Sequence, residues 1–129
     1  MIFGIGTDIV RIARMAENLA RYGEHFAARI LSDAELTVFQ QSTQPAQFLA
    51  KRFAAKEAAA KALGTGFRDG LSLRDIGVAN DALGKPALVF SARAQEMLKK
   101  QEVIASHLSL ADEREYAIAY VVLEGRSAD

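Results

Sequence analysis

The sequence predicts an α+β domain in which a small antiparallel sheet packs with one long central helix and several shorter helices. Three observations carry that expectation. A strand signal opens the chain, residues 46–63 form an alanine-rich helical run, and the second half holds short β-branched segments joined by turn signals. Strands and helices neither alternate strictly nor separate into long runs, and the tight connections imply antiparallel pairing.

Residues 2–10, IFGIGTDIV, mix β-branched residues with Gly4 and Gly6 and read as a strand. Glycines inside a strand signal close approach of another backbone or of a ligand. Over residues 11–22, Ile12, Met15, Ala16 and Leu19 recur at helical spacing, and Gly23 ends the run. A short helix is expected over residues 25–30. Ser32 followed by Glu35 has the form of a capping box, opening a helix that reaches about residue 41 before STQP breaks it. The long helix then spans residues 46–63 and stops at Gly64, a C-terminal cap glycine. Residues 76–79 and 86–90 read as strands joined by the turn-rich NDALGK. Ser91 caps a helix over residues 91–101, strands follow at 107–110 and 116–123, and the tail GRSAD is expected to fray.

A chain of 129 residues is expected to form one domain over 1–129. The absence of tryptophan beside many alanines points to a thin core, which invites self-association. Sixteen basic residues balance sixteen acidic ones, so no global field points to nucleic acid. The lack of cysteine excludes disulfides and cysteine-ligated metal, and fits a reducing cytoplasm. The opening residues lack the basic lead of a secretion signal, and no apolar run approaches the ~18 residues that span a bilayer. A soluble, cytoplasmic protein is the expectation.

Candidate chemistry centres on RFAAKEAAAKALGTG, residues 52–66, where Lys56, Glu57 and Lys61 stand among small residues. With Phe53 at zero on a helical wheel, Leu49, Ala60 and Leu63 fall within roughly 80° on one side. Glu57 lies about 40° and Lys61 about 80° to the other side, on the shoulder of the apolar stripe. Two readings follow. Glu57 and Lys61 form an ordinary i,i+4 surface pair, or a half-buried carboxylate beside lysines serves a cation and a phosphate. Asp8, at the end of the GIGTD strand, is likewise either a turn former or helix cap, or a second carboxylate for one Mg²⁺. Spacing alone leaves both open.

The motifs GIGTDIV, RFAAKEAAAKALGTG, GLSLRDIGV, NDALGKP and HLSLADEREYAIAYVVLE, in that order, resemble the holo-acyl-carrier-protein synthases over essentially the whole chain. These are 4′-phosphopantetheinyl transferases. The resemblance implies an enzyme that uses Mg²⁺ to move the phosphopantetheine arm of coenzyme A onto a serine of acyl carrier protein, for fatty acid biosynthesis. It implies Asp8 and Glu57 as metal ligands and Lys61 beside the pyrophosphate. Gly64, Thr65 and Gly66 would lie along coenzyme A, the loop of Asn80, Gly84, Lys85 and Pro86 beside the nucleotide, and His107 near the phosphates. A homotrimer with coenzyme A in clefts between subunits is implied as well. Where the family commonly carries a hydroxyl after the His-Val-Ser run, this chain has Ala111 and then Asp112, so a hydrogen bond from that position is missing. His25 has no counterpart and is expected at the surface.

Arg11, Arg14, Asn18 and Arg21 fall within roughly 80° of one another, opposite Ile12, Met15 and Leu19. The stripe is either a plain solvated face or a complement to an acidic partner. The resemblance implies that Arg14, Arg21, Phe26 and Arg29 contact the carrier protein. The serine proton is expected to leave to a water beside the metal, helped by Glu57 or Asp8. Two rivals stand beside this reading: a non-catalytic coenzyme A or carrier-protein binding module, and a small acyltransferase that uses the thioester end of acyl-coenzyme A.

Overall fold

The computed structural model describes residues 1–127. Strand β1 (Ile2–Arg11) leads into helix α1 (Ile12–Tyr22), then α2 (Glu24–Ile30), α3 (Asp33–Phe39) and the long α4 (Pro45–Leu63). A short 3-10 turn (Leu73–Asp75) precedes the hairpin of β2 (Ile76–Asn80) and β3 (Pro86–Phe90). Helix α5 (Ala92–Lys100) and strands β4 (Val103–Asp112) and β5 (Tyr116–Gly125) complete the order. Pairing is antiparallel throughout, as expected, and the strands divide into two sheets, β1-β5-β4 and β2-β3.

The inner face of the three-stranded sheet packs on α4, and its contact is unusually close. A Cβ built on Gly4 would lie 2.0 Å from the carbonyl oxygen of Ala62, and one on Gly6 would lie 1.9 Å from that of Ala58. The strand glycines therefore answer the question of close approach in favour of another backbone. Across the same interface, Ala117, Ala119, Val121 and Leu123 of β5 are buried. Small residues on both sides bring the helix axis down onto the sheet, and the charged groups of α4 are positioned by that contact.

Several boundaries differ from expectation, each for a local reason. The first strand continues to Arg11 by pairing with Tyr116, so Asp8 sits inside a strand and not at its end. Arg11 is the cap residue of α1 and lies outside the helix. Strand β4 starts at Val103, placing His107 mid-strand. The tail does not fray at Gly125, which exchanges backbone hydrogen bonds with Met1; residues 128 and 129 lie outside the described residues. The narrow apolar stripe assigned to α4 is also too simple. Leu49, Ala60 and Leu63 are buried, but so are Arg52 and Lys56, whereas Phe53 is only half-buried. The helix is enclosed on nearly all sides, because sheet, α1, α3 and the β2-β3 hairpin surround it. The capping box is present: Ser32 Oγ accepts from the Glu35 amide while Glu35 Oε1 accepts from the Ser32 amide. Among the described residues, no helix is long and apolar enough to cross a membrane.

Candidate active site

Alternation along β1 points Gly4, Gly6, Asp8 and Val10 toward α4. Asp8 is the first of these with a polar side chain, and it meets the last two turns of α4. Lys61 Nζ lies 3.0 Å from Asp8 Oδ1 and donates as well to the Thr7 carbonyl oxygen at 3.0 Å. Asp8 is therefore no helix cap. Its side chain is mostly covered, while that of Lys61 is about half exposed. Glu57, one turn before Lys61, is half-buried. Burial first, and then the charge of Asp8, push its carboxyl above the usual range; Lys61 and Arg14 pull the other way. Asp8, Glu57, Lys61 and Arg14 thus share one electrostatic neighbourhood. Among the described residues the Glu57 carboxylate makes no hydrogen bond or ion pair within contact distance, which is unusual for a half-buried acid.

No group of three or more His, Cys, Asp or Glu residues converges among the described residues. A cation at this place would have two protein carboxylates, Asp8 and Glu57, and would take its remaining ligands from water and substrate. That donor set suits Mg²⁺, which binds through one or two carboxylates plus phosphate oxygens. Two mutually repelling carboxylates, one of them unpaired, fit such a charge.

The segments flanking the cluster are preformed. Gly64 takes φ +84° as the left-handed cap of α4, and Gly66 takes φ +64°. Neither glycine has an atom within 4 Å of where a Cβ would stand. Room therefore remains beside the helix end, as well as the capping role. In the β2-β3 loop, Asp81 Oδ1 accepts from the amides of Leu83 and Lys85, and Gly84 holds φ +89°. Asn80 Nδ2 donates to the Gly84 carbonyl oxygen, and its Oδ1 accepts from Arg52 Nη2 at 3.2 Å. Its amide is thus engaged in bracing the loop, while Lys85 points to solvent. His107 is exposed, with Nε2 2.8 Å from Glu124 Oε2. Ala111 is exposed and Asp112 sits 3.8 Å from Lys51. His25 is at the surface, as expected.

Lys56 belongs elsewhere. Grouped by sequence with the other lysines near a phosphate, it points away from Glu57 and is fully buried. Its Nζ donates to Glu35 Oε1 at 2.6 Å, the Ile76 carbonyl oxygen at 2.5 Å and the Leu73 carbonyl oxygen at 3.0 Å. Glu35 Oε2 accepts from the Val78 amide and lies 3.9 Å from Arg52 Nε. Desolvation lowers the Lys56 ammonium from its ordinary value against the pull of Glu35. All three ammonium hydrogens have acceptors, so the charge is structural. A cleft of about 580 Å³ opens over this cluster, lined by Glu35, Arg52, Asn80 and Val89. Asp8, Glu57 and Lys61 do not line it.

On α1, Ile12 and Met15 are buried and Arg14 and Arg21 exposed, which matches the expected division of faces. Arg14 lies over the Phe53 ring at 5.8 Å, and Arg21 over Tyr22 at 5.6 Å. Phe26 is half-buried and Arg29 exposed on α2. The arginine face is therefore contiguous with the Glu57 neighbourhood through Arg14.

Comparison with known proteins adds the rest. The family model of the 4′-phosphopantetheinyl transferase superfamily matches residues 4–121. The chain is 58% identical over 124 residues to the holo-[acyl-carrier-protein] synthase of Hamiltonella defensa, covering 96% of this chain and 98% of that relative. Its fold superposes with a TM-score of 0.92 on the crystal structure of the same enzyme from Neisseria meningitidis, at 47% identity over 96% of this chain and 99% of the other. The Bacillus anthracis enzyme, solved in complex with coenzyme A (3′,5′-ADP), is similar at TM-score 0.80 and 41% identity, covering 98% of this chain and 99% of that one.

Proposed function

The chain belongs to the 4′-phosphopantetheinyl transferase superfamily, and on that premise we propose a reading of its site as a holo-acyl-carrier-protein synthase, one domain over residues 1–129. The enzyme transfers 4′-phosphopantetheine from coenzyme A to a serine of apo acyl carrier protein, a step that supplies fatty acid biosynthesis with its active carrier. The serine oxygen forms a bond to the phosphorus bearing the pantetheine arm. The bond from that phosphorus to the bridging oxygen breaks, and adenosine 3′,5′-bisphosphate leaves. The single observation that carries this reading is the Asp8–Lys61 contact, with the unpaired Glu57 carboxylate in Coulombic reach of both, beside an open glycine-capped helix end.

Phosphoryl transfer needs positioning and charge stabilisation more than covalent help. Asp8 and Glu57 would hold Mg²⁺, which when bound neutralises charge on the diphosphate. Lys61, tethered to Asp8 but half exposed, carries a positive charge toward the leaving phosphate. Glu57, whose carboxylate has no hydrogen-bond partner among the described residues, helps a water take the serine proton, with Asp8 beside it as the alternative. The arm of coenzyme A lies along Gly64, Thr65 and Gly66, and its nucleotide beside Lys85 and Pro86. Asn80 serves that loop from within, as its amide bonds to Gly84 and Arg52 indicate. Acyl carrier protein docks on Arg14, Arg21, Phe26 and Arg29, and Arg14 links that surface to Glu57.

The working form is a cytoplasmic homotrimer with sites between subunits. The outer face of the three-stranded sheet supports this: Ile5, Ile9 and Tyr120 are each at least 60% exposed there, a patch suited to burial against a copy of itself. His107 lies on the same outer face, two strands and three residues from Asp8 through Ala119 and Leu110. That register separates their Cα atoms by about 14 Å with side chains on opposite faces, so both cannot touch one phosphate within a single chain. A neighbouring subunit's His107 would complete each site.

The test is incubation with coenzyme A, Mg²⁺ and an apo carrier protein, followed by intact-mass measurement with and without chelator. Gain of the phosphopantetheine mass, lost on chelation, is expected. A binding module would leave the carrier unchanged, and an acyltransferase would add only an acyl group. Light scattering tests the trimer.

A further inference from the structure

We propose that Glu124 is a positioning residue for coenzyme A, acting by orienting the His107 imidazole; the proposal rests on the reading of His107 as a contact to the coenzyme A phosphates. The register of β4 on β5 places Ala105 opposite Glu124 and His107 opposite Val122. Glu124 and His107 are therefore diagonal neighbours on one face, the arrangement in which long side chains meet across a sheet. The contact is direct, with Nε2 2.8 Å from Oε2.

Folding does not require this pair. In the isolated chain both side chains are about half exposed or more, so water could satisfy each of them alone before subunits meet. What the carboxylate does is restrict the ring. A carboxylate only accepts, so Nε2 must carry a proton toward Glu124 and Nδ1 is turned to the opposite side. A second proton, when present, then sits on Nδ1 and points away from the carboxylate, available to an anionic oxygen. The influence runs in both directions. The hydrogen bond from His107, and then its charge, hold the Glu124 carboxyl below the usual carboxylate range. A negative group beside an anion contact is otherwise a cost, since it repels phosphate. Its orienting effect on the ring supplies a reason for it to stand there.

The test compares the full-length wild type, Glu124→Gln, His107→Ala and the double variant, reading kcat and KM for coenzyme A with an apo carrier protein. Glu124→Gln should raise KM about threefold, more than it lowers kcat, as expected for an exposed charged pair. His107→Ala should raise KM by about tenfold, the scale of a lost charge-assisted bond. The double variant should be no worse than His107→Ala alone, because Glu124 acts only through the ring. An unchanged KM for Glu124→Gln beside a raised KM for His107→Ala overturns this proposal and leaves the His107 reading intact. An unchanged KM for His107→Ala overturns both. Additive losses in the double variant also sink it, since Glu124 would then act by another route. As a readout independent of turnover, carboxyl ¹³C titration of Glu124 in the His107→Ala variant should move back up toward the ordinary range; no movement means that the pair is not formed in solution.

Discussion

Helix α4 carries two charged clusters built from the same residue types, and they differ in how completely their bonds are used. On one side Glu35, Lys56 and Arg52 are buried, and every ammonium hydrogen of Lys56 has an acceptor. On the other side Glu57 is half-buried and unpaired among the described residues, and Lys61 is held by Asp8 but remains half exposed. Saturation marks the first cluster as a brace joining α4 to α3 and the hairpin. Spare capacity marks the second as the place where ligand oxygens can still be bound. Adjacent residues 56 and 57 thus have separate tasks, because consecutive helical positions are turned by about 100°.

The largest effect should come from breaking the brace. Lys56→Met leaves the buried Glu35 carboxylate without its ammonium, a type of change that costs about 3–5 kcal/mol. Urea unfolding at neutral pH measures it, and transfer per folded molecule should fall far less than stability does. If the variant is as stable as the wild type, the buried cluster does not brace the fold.

Glu57→Gln should invert that pattern. Removal of a preorganised charge from the site should lower the transfer rate by about 10²–10³-fold, with the fold retained. The pH dependence of stability has a definite sign. The Glu57 carboxyl is raised in the folded state, so its contribution is present below the ordinary carboxylate range and is lost as pH rises through the raised value. Glutamine does not titrate, and the variant should therefore gain melting temperature relative to wild type as pH rises from about 4 to 7. Mg²⁺ should raise the melting temperature of the wild type and not of the variant. A pH-independent difference between the two proteins would contradict the strained carboxylate.

Both clusters depend on where the sheet holds α4, and Gly6→Ala tests this. Its Cβ would meet the Ala58 carbonyl oxygen, which is backbone and cannot rotate aside. A loss of about 1–3 kcal/mol is expected, together with reduced transfer as Asp8 and Glu57 separate. Thermal unfolding and the mass assay read the two effects on one sample.

Much of this was legible in the sequence, and the gaps share a cause. The Ser32–Glu35 capping box, the Gly64 cap and the β2-β3 hairpin depend on neighbours within a few residues, so local chemistry was enough. Asp8, Glu57 and Lys61 could be nominated from residue type and from the resemblance, but their convergence required the β1–α4 contact. Lys56 was misgrouped because its partner Glu35 is twenty-one residues away. No wheel records that distance, and alanine is compatible with a helix enclosed on nearly all sides. Glu124 was missed for a similar reason. Its pairing with His107 follows only once the β4-β5 register is known, and the alternation of the two strands was the available signal.

The smallest effect concerns where the proposed site ends and the proposed docking surface begins. Arg14 and Arg21 are both exposed on α1, yet only Arg14 is close enough to lower the Glu57 carboxyl. Charge reversal at Arg21 should weaken binding of the acidic carrier by about fivefold, the scale of an exposed ion pair, and leave KM for coenzyme A unchanged. The loss should shrink as salt is raised, since screening acts on exposed charges at this range. Reversal at Arg14 should weaken carrier binding similarly and also raise the Glu57 carboxyl further, shifting the acid limb of the rate to higher pH. Surface plasmon resonance against immobilised apo carrier at two salt concentrations, with pH–rate profiles for both variants, separates the cases. Matching profiles for the two reversals would place Arg14 on the docking surface alone and detach it from the Glu57 neighbourhood.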